Sequence, residues 1–257
     1  MKVAVFQCDL AGRSTTARLQ RLHEVAAGTD ADLLLCPELF MSGYHIGDAA
    51  LAMAEAVDGA FAGEVAKIAR TTATAIIYGY PERASDTVYN AALCIGPDGH
   101  RLANHRKLVI PPGPEIGRFG PGDGLTLFDH AGMRCAILIC YDAEFPETVR
   151  AAAQAGAQLI LVPTALAAEW SVVAERVIPA RAFENGVHIA YANHAGAENG
   201  LDYAGSSVIL DPKGADQARA GAGEAVISGI VAAENVTGAQ ARLPYLRDLD
   251  RLRHKLT

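Results

Sequence analysis

Two kinds of apolar pattern alternate along the chain. Short runs rich in Val, Ile, Leu and Tyr at 3–7, 32–36, 75–79, 88–93, 135–139, 159–162, 187–191 and 207–210 predict strands. Between them, 14–27, 58–72, 145–155 and 169–185 carry apolar residues at helical spacing among Ala, Arg and Glu. With Pro or Gly near their ends, these predict helices. Pro97-Asp98-Gly99-His100 separates the strand ending at Ile95 from the short run 101–103, a hairpin signal that makes the sheets mixed rather than purely parallel. From Pro111 to Gly124 the chain is too broken by Pro and Gly for regular structure and predicts a long surface loop, a segment type that often carries function. The order strand, helix, strand, Pro occurs twice, over 3–37 and again over 135–163. That echo predicts two similar sheets packed face to face, with active groups at corresponding strand ends.

Composition narrows the class. With 257 residues, 51% hydrophobic and 20% charged, the chain has material for a large core, which excludes disorder, collagen-like repeats and a disulfide-stapled miniprotein. One large α/β domain over 1–257 is expected. Lys and Arg number 22 against 29 Asp and Glu, a net charge of −7 with no basic run, so nucleic acid is not an expected partner. No apolar run reaches membrane-spanning length and the first residues do not form a secretory segment, so a soluble, cytoplasmic protein without a membrane partner is expected. The five cysteines, Cys8, Cys36, Cys94, Cys135 and Cys140, are an odd count and read as reduced thiols. No Cys-x-x-Cys or His-x-x-x-His spacing is present to hold a structural zinc.

Catalytic groups in α/β folds collect at strand carboxyl ends, and three ends carry unusual polar residues: Cys36-Pro37-Glu38, Asn104-His105-Arg106-Lys107 and Cys140-Tyr141-Asp142-Ala143-Glu144. Cys140 closes an apolar strand just before a helix, where a helix amino terminus and a nearby cation would favour the thiolate. A cysteine nucleophile needs a base. Eight histidines are present, and spacing alone selects none of them. Glu38 is the alternative, because desolvation would raise a carboxylate toward the range useful for taking a thiol proton. Lys107 would supply the positive charge that a tetrahedral oxyanion needs.

The set Pro37-Glu38, Arg106-Lys107 and Cys140-Tyr141-Asp142-x-Glu144-Phe145-Pro146-Glu147, in that order and at those separations, resembles the Glu, Lys, Cys triad of the nitrilase, or carbon-nitrogen hydrolase, superfamily. The resemblance implies an α/β fold of four layers, α-β-β-α, with two mixed sheets face to face. It implies Cys140 as nucleophile, Glu38 as general base, and Lys107 with the Tyr141 backbone N–H as oxyanion holders. Glu115, in the long loop, matches the family's second glutamate. No metal or organic cofactor is implied. The family's dimers often use a C-terminal segment such as 239–257, so a homodimer or larger homo-oligomer is expected.

Tyr141-Asp142 after the nucleophile is similar to the amidase and carbamoylase branches rather than to true nitrilases, which have Trp-Glu there. The stretches 179–185, 192–193 and 203–214 are similar to the same branches. The implied activity is hydrolysis of a small linear carboxamide. An N-carbamoyl amine hydrolase, a nitrilase and a non-catalytic binding protein on the same fold are the alternatives. Two departures stand out: His105 replaces the usual aromatic before Arg-Lys, and Leu108-Val109-Ile110 replaces the usual His-Leu after it. Glu144 either orients Lys107 or is a first-turn acid favoured by the helix dipole. Trp170 either lines the acyl pocket or is core, and Tyr44 either reaches the substrate or packs.

Overall fold

The apolar runs become the inner strands of two sheets in the computed structural model, which describes residues 1–256; Thr257, the last residue of the expected contact tail, lies outside them. In chain order the strands are β1 Lys2–Gln7, β2 Leu33–Leu35, β3 Ala75–Ala84, β4 Thr87–Ile95, β5 Arg101–Arg106, β6 Thr126–His130 and β7 Met133–Ile137. They continue as β8 Leu159–Pro163, β9 His188–Ala192, β10 Ala197–Glu198, β11 Leu201–Asp202, β12 Val208–Leu210, β13 Asp216–Arg219 and β14 Ala225–Ile230. The helices are α1 Thr15–Gly28, α2 Ala49–Ala52, α3 Ala60–Thr72, α4 Pro146–Gln154, α5 Ile178–Asn185, α6 Ala233–Arg242 and α7 Tyr245–Leu256.

One six-stranded sheet has the order β14-β1-β2-β3-β4-β5 and the other β13-β12-β9-β8-β7-β6, with β10 and β11 as a separate small hairpin. The two large sheets share a plan. β1, β2 and β3 are parallel neighbours, as are β7, β8 and β9. Each trio continues through two antiparallel strands on one side and gains one antiparallel strand on the other. The echo in the sequence is thus a repeated topology, and the Glu38 N–H meets the Thr164 carbonyl at 3.4 Å where the second strands of the two repeats end.

Alternation along the strands builds the layers. Val3, Val5, Leu33, Leu35, Ile137, Leu159 and Leu161 point between the sheets. Ala4, Phe6, Leu34 and Ile76 point outward beneath Leu22, Val25, Phe61 and Val65 of α1 and α3. On the far side Ala136, Ile160, Val162 and Ile189 meet Val149, Ala152, Ile178 and Ala182 of α4 and α5. The inner strands are therefore apolar on both faces and read as unbroken hydrophobic runs. Each fully buried Leu contributes about 2 kcal/mol by removal from water. The result is the four-layer α-β-β-α sandwich. No helix among the described residues is long and apolar enough to cross a membrane.

Two local expectations needed correction. The helix expected over 169–185 is split into a 3-10 turn at Ala168–Trp170, a wide π turn at Val173–Val177 and then α5, with Pro179 in the first turn of α5. Strands β6, β13 and β14 had no counterpart in the apolar pattern; β14 is half-buried at every second residue and exposed between, and β13 is Asp-Gln-Ala-Arg. The C-terminal segment forms α6 and α7, with Gln240 Nε2 donating to the Asn185 carbonyl at 3.1 Å.

Candidate active site

Glu38, Lys107 and Cys140 each lie just past the end of a strand, β2, β5 and β7 respectively. All three are buried, together with Glu115 from the long loop.

Glu38 is set by its backbone. The Pro37 carbonyl accepts the Gly79 N–H at 3.1 Å, and Leu39 turns the chain with a φ of +47°. This close approach to β3 requires Gly79, because a Cβ there would lie 2.2 Å from the Leu39 nitrogen. The Glu38 carbonyl oxygen is 2.7 Å from His194 Nε2, while His194 Nδ1 is 3.4 Å from the Cys8 sulfur. Burial lowers His194 to about 4, so the ring is neutral and its Nε2–H donates to that carbonyl. His194 thus holds the backbone of Glu38, a part that spacing along the chain did not single out.

Lys107 Nζ donates to Glu38 Oε1 at 2.7 Å and to Glu115 Oε1 at 2.5 Å. Asn90 Nδ2, from β4, donates to Glu38 Oε1 at 2.7 Å and to Glu115 Oε2 at 2.9 Å. Asn90 was also missed; its signal is a fully buried amide in the middle of an apolar strand. Tyr44 Oη donates to Glu115 Oε1 at 2.9 Å. Glu38 Oε2 is buried and has no hydrogen-bond partner among the described residues. Burial pushes the Glu38 carboxyl up to about 7; Lys107 opposes that shift and Glu115 adds to it. Burial alone would lower the Lys107 ammonium, but Glu38 and Glu115 hold it above its ordinary value.

Cys140 opens a 3-10 turn, Cys140–Glu144, with a φ of +46°. A left-handed conformation at a non-glycine residue costs about 1–3 kcal/mol and is kept where the surroundings over-determine it. The expected helix-dipole effect on the thiol is corrected here, since α4 begins only at Pro146. Burial and then the Glu38 charge push the Cys140 thiol well above its ordinary value; Lys107, the Thr164 hydroxyl and the Ala165 N–H pull the other way. The resting group is therefore a thiol.

Asp142 ties the lysine segment to the cysteine elbow. Its carboxylate accepts the N–H groups of Leu108 at 3.0 Å, Val109 at 2.9 Å and Ile139 at 3.1 Å. His105, the departure before Arg106-Lys107, is fully buried with Nε2 3.6 Å from Asp142 Oδ2. Asp142→Ala strands one buried and two partly buried donors and is expected to cost about 3 kcal/mol. A lower urea midpoint at unchanged slope is the readout, and a shift below about 1 kcal/mol would contradict it.

Above these groups a cavity of about 430 Å³ is lined by Cys140, Tyr141, Tyr44, Glu144, Trp170 and the prolines of the long loop. Trp170 is 57% exposed at its mouth and is not core. Glu144 makes no direct hydrogen bond to Lys107, whose side-chain partners are Glu38 and Glu115, although the lysine's charge acts on its carboxyl. Its backbone carbonyl accepts Arg181 Nη2 at 2.7 Å, and the residue is part of the cavity lining. Leu166, on that wall, is fixed by Asn193, which accepts its N–H at 2.8 Å and donates to its carbonyl at 3.1 Å. No group of three or more His, Cys, Asp or Glu among the described residues is arranged to hold a metal ion.

The carbon-nitrogen hydrolase family model matches residues 2–240. A Pseudomonas protegens protein named as a hydrolase in the pqqF 5' region is 46% identical over 96% of this chain and 88% of its own length. An (R)-stereoselective amidase from a Pseudomonas species is 35% identical over 96% and 91%. Among solved structures, an amidase from Nesterenkonia sp. AN1 superposes with a TM-score of 0.88 at 31% identity, covering 100% of both chains. A Glu→Gln variant of that amidase, with a TM-score of 0.82 at 33% identity over 95% of this chain and 98% of its own, carries acrylamide joined by Michael addition to its active-site cysteine. With the family match running from the first strand into α6 and these relatives spanning nearly its whole length, the chain belongs to the carbon-nitrogen hydrolase family.

Proposed function

We propose that the protein is an amidase that hydrolyses a small linear carboxamide through a thioester on Cys140, the chain acting as one catalytic domain. The observation that carries this reading is the asymmetry of Glu38. Oε1 is held by Lys107 and Asn90, and Oε2 is buried with its lone pairs free for a proton.

Cys140 Sγ attacks the amide carbon as its proton passes to Glu38 Oε2. The carbonyl oxygen, now an oxyanion, is held by the third N–H of Lys107 Nζ, two of whose donors already go to Glu38 and Glu115, and by the Tyr141 N–H. Glu38 returns the proton to the departing nitrogen, the C–N bond breaks, and ammonia or an amine leaves. Glu38 then takes a proton from water, the hydroxide attacks the thioester, and the acid leaves as Cys140 regains its thiol proton. Glu115 fixes the lysine and, through Tyr44, the near wall of the cavity. All five cysteines are free and buried, usage that suits a reducing compartment, so the enzyme is assigned to the cytoplasm.

The test is ammonia release from a panel of aliphatic amides, N-carbamoyl amines and nitriles, with Cys140→Ala as blank. Amide turnover is the expected result, and turnover of nitriles but not amides overturns the reading. The pH profile follows from Glu38. Since the base must be ionised, kcat/KM is expected to rise about tenfold per pH unit up to about 7 and to level above it. The same carboxyl binds its proton more tightly in the folded chain than in the unfolded one. Its ionisation therefore costs stability, and that cost grows as pH rises from the ordinary carboxylate range to about 7. A kcat/KM flat from pH 5 to 8 would contradict the assignment.

A further inference from the structure

We propose that the amide taken by this cavity carries a positive charge on its acyl part: a small carboxamide bearing a protonated amine, paired with Glu144 and lying against Trp170. The inference rests on the amidase reading above and names its substrate class.

The cavity wall carries carboxylates without a direct partner, Lys107 and Arg181 acting on Glu144 only through their charge. Glu144 is half-buried on that wall, and its carboxylate makes no hydrogen bond or ion pair among the described residues. The nearby cation, Arg181, is spent elsewhere: Nη2 donates to the Glu144 backbone carbonyl and Nη1 to Glu184 Oε1 at 3.1 Å. Glu169 adds a second, exposed carboxylate to the same wall, likewise without an ion-pair partner among the described residues. At the floor the one ammonium, Lys107, faces two carboxylates, Glu38 and Glu115. The wall's one histidine, His45, has its Nδ1 3.3 Å from the Glu198 carbonyl, so that nitrogen is turned to the backbone.

Three acyl types meet this wall differently. One ending in a carboxylate adds a negative charge among unpaired acids and is repelled. A plain aliphatic chain finds apolar surface but leaves Glu144 without a partner. An ammonium satisfies Glu144, holds it ionised, and shares the cavity with the Trp170 indole, which is 57% exposed and open to a cation.

The experiment compares kcat/KM by ammonia release for three primary amides of matched length: 4-aminobutanamide, pentanamide and succinamate. The cationic amide is expected to exceed the neutral one by about tenfold or more and the anionic one by about a hundredfold or more, with both ratios shrinking as salt is added. In Glu144→Gln the cation-to-neutral ratio is expected to fall to about one. Each ratio is taken within one preparation, so a loss of folded enzyme cancels. Equal or better turnover of pentanamide, or a ratio that survives Glu144→Gln, overturns the proposal and leaves the amidase reading standing. No turnover of any of the three amides, with nitriles or carbamoyl amines turned over instead, overturns the amidase reading and this inference with it.

Discussion

Glu38→Gln is expected to lower amide turnover by about a thousandfold or more while Cys140 remains open to alkylation by acrylamide. A positioned general base contributes about 10²–10⁴ to one proton-transfer step, and in the proposed mechanism Glu38 serves twice, in forming the thioester and in hydrolysing it. Gln is close in size, and its carbonyl oxygen can still accept from Lys107 Nζ and Asn90 Nδ2, so the pocket keeps its shape. What it lacks is a lone pair basic enough for the thiol proton at the Oε2 position. Michael addition to acrylamide asks less of the base, because the carbon attacked is already electrophilic. The two activities should therefore separate: ammonia release is lost, and mass spectrometry still finds one acrylamide on Cys140. If the variant acylates Cys140 at the native rate in a single turnover, the base is another group. His45 on the cavity wall would be the first to replace. Loss of both activities together would instead indicate a collapsed pocket, and a lowered urea midpoint would show it.

The inner strands and two of the strand-end groups were legible in the sequence for one physical reason. A strand covered on both faces must be apolar throughout, so a residue with chemistry just beyond it stands out, as Glu38 and Cys140 do. Lys107 follows the polar edge strand β5, Arg-Leu-Ala-Asn-His-Arg, and was found through its resemblance to the family's Arg-Lys motif. Strands at the sheet edges lack that constraint, and β13 and β14 show solvent-facing polar or half-exposed residues that erase the pattern. The helix expected over 169–185 was overestimated because its apolar spacing continues through the wide turn at Val173–Val177. The supporting contacts were hidden by distance along the chain. His194 reaches the Glu38 carbonyl across 156 residues, and Asn90 reaches the Glu38 carboxylate across 52. Glu198 accepts the Tyr44 N–H at 2.9 Å across 154. Hydrogen bonds of this kind leave no periodic trace. The state of Cys140 was misjudged because the following α-helix starts six residues later, and burial, not a helix terminus, decides its thiol.

Lys107→Met is expected to be the most destabilising substitution in the site, and the cost should depend on pH in a direction that identifies its cause. The ammonium is fully buried between Glu38 Oε1 and Glu115 Oε1. Removing one partner of a buried ion pair typically costs about 3–5 kcal/mol, because the charge left behind is uncompensated. Here two carboxylates are left, joined by the Asn90 amide and short of donors. They relieve the strain by keeping a proton, so their folded pKa rises above the unfolded value. Below the ordinary carboxylate range both states are protonated and the penalty is small; it grows as pH rises, because the unfolded chain ionises first. The variant should therefore lose less stability at pH 5 than at pH 8, read from urea unfolding at both. Adding Glu115→Gln removes one of the two charges and should recover part of the stability at pH 8, while amide turnover stays lost because the oxyanion still lacks its cation. A penalty equal at both pH values, or untouched by Glu115→Gln, would mean that Lys107 holds the site by packing of its stem and not by its charge.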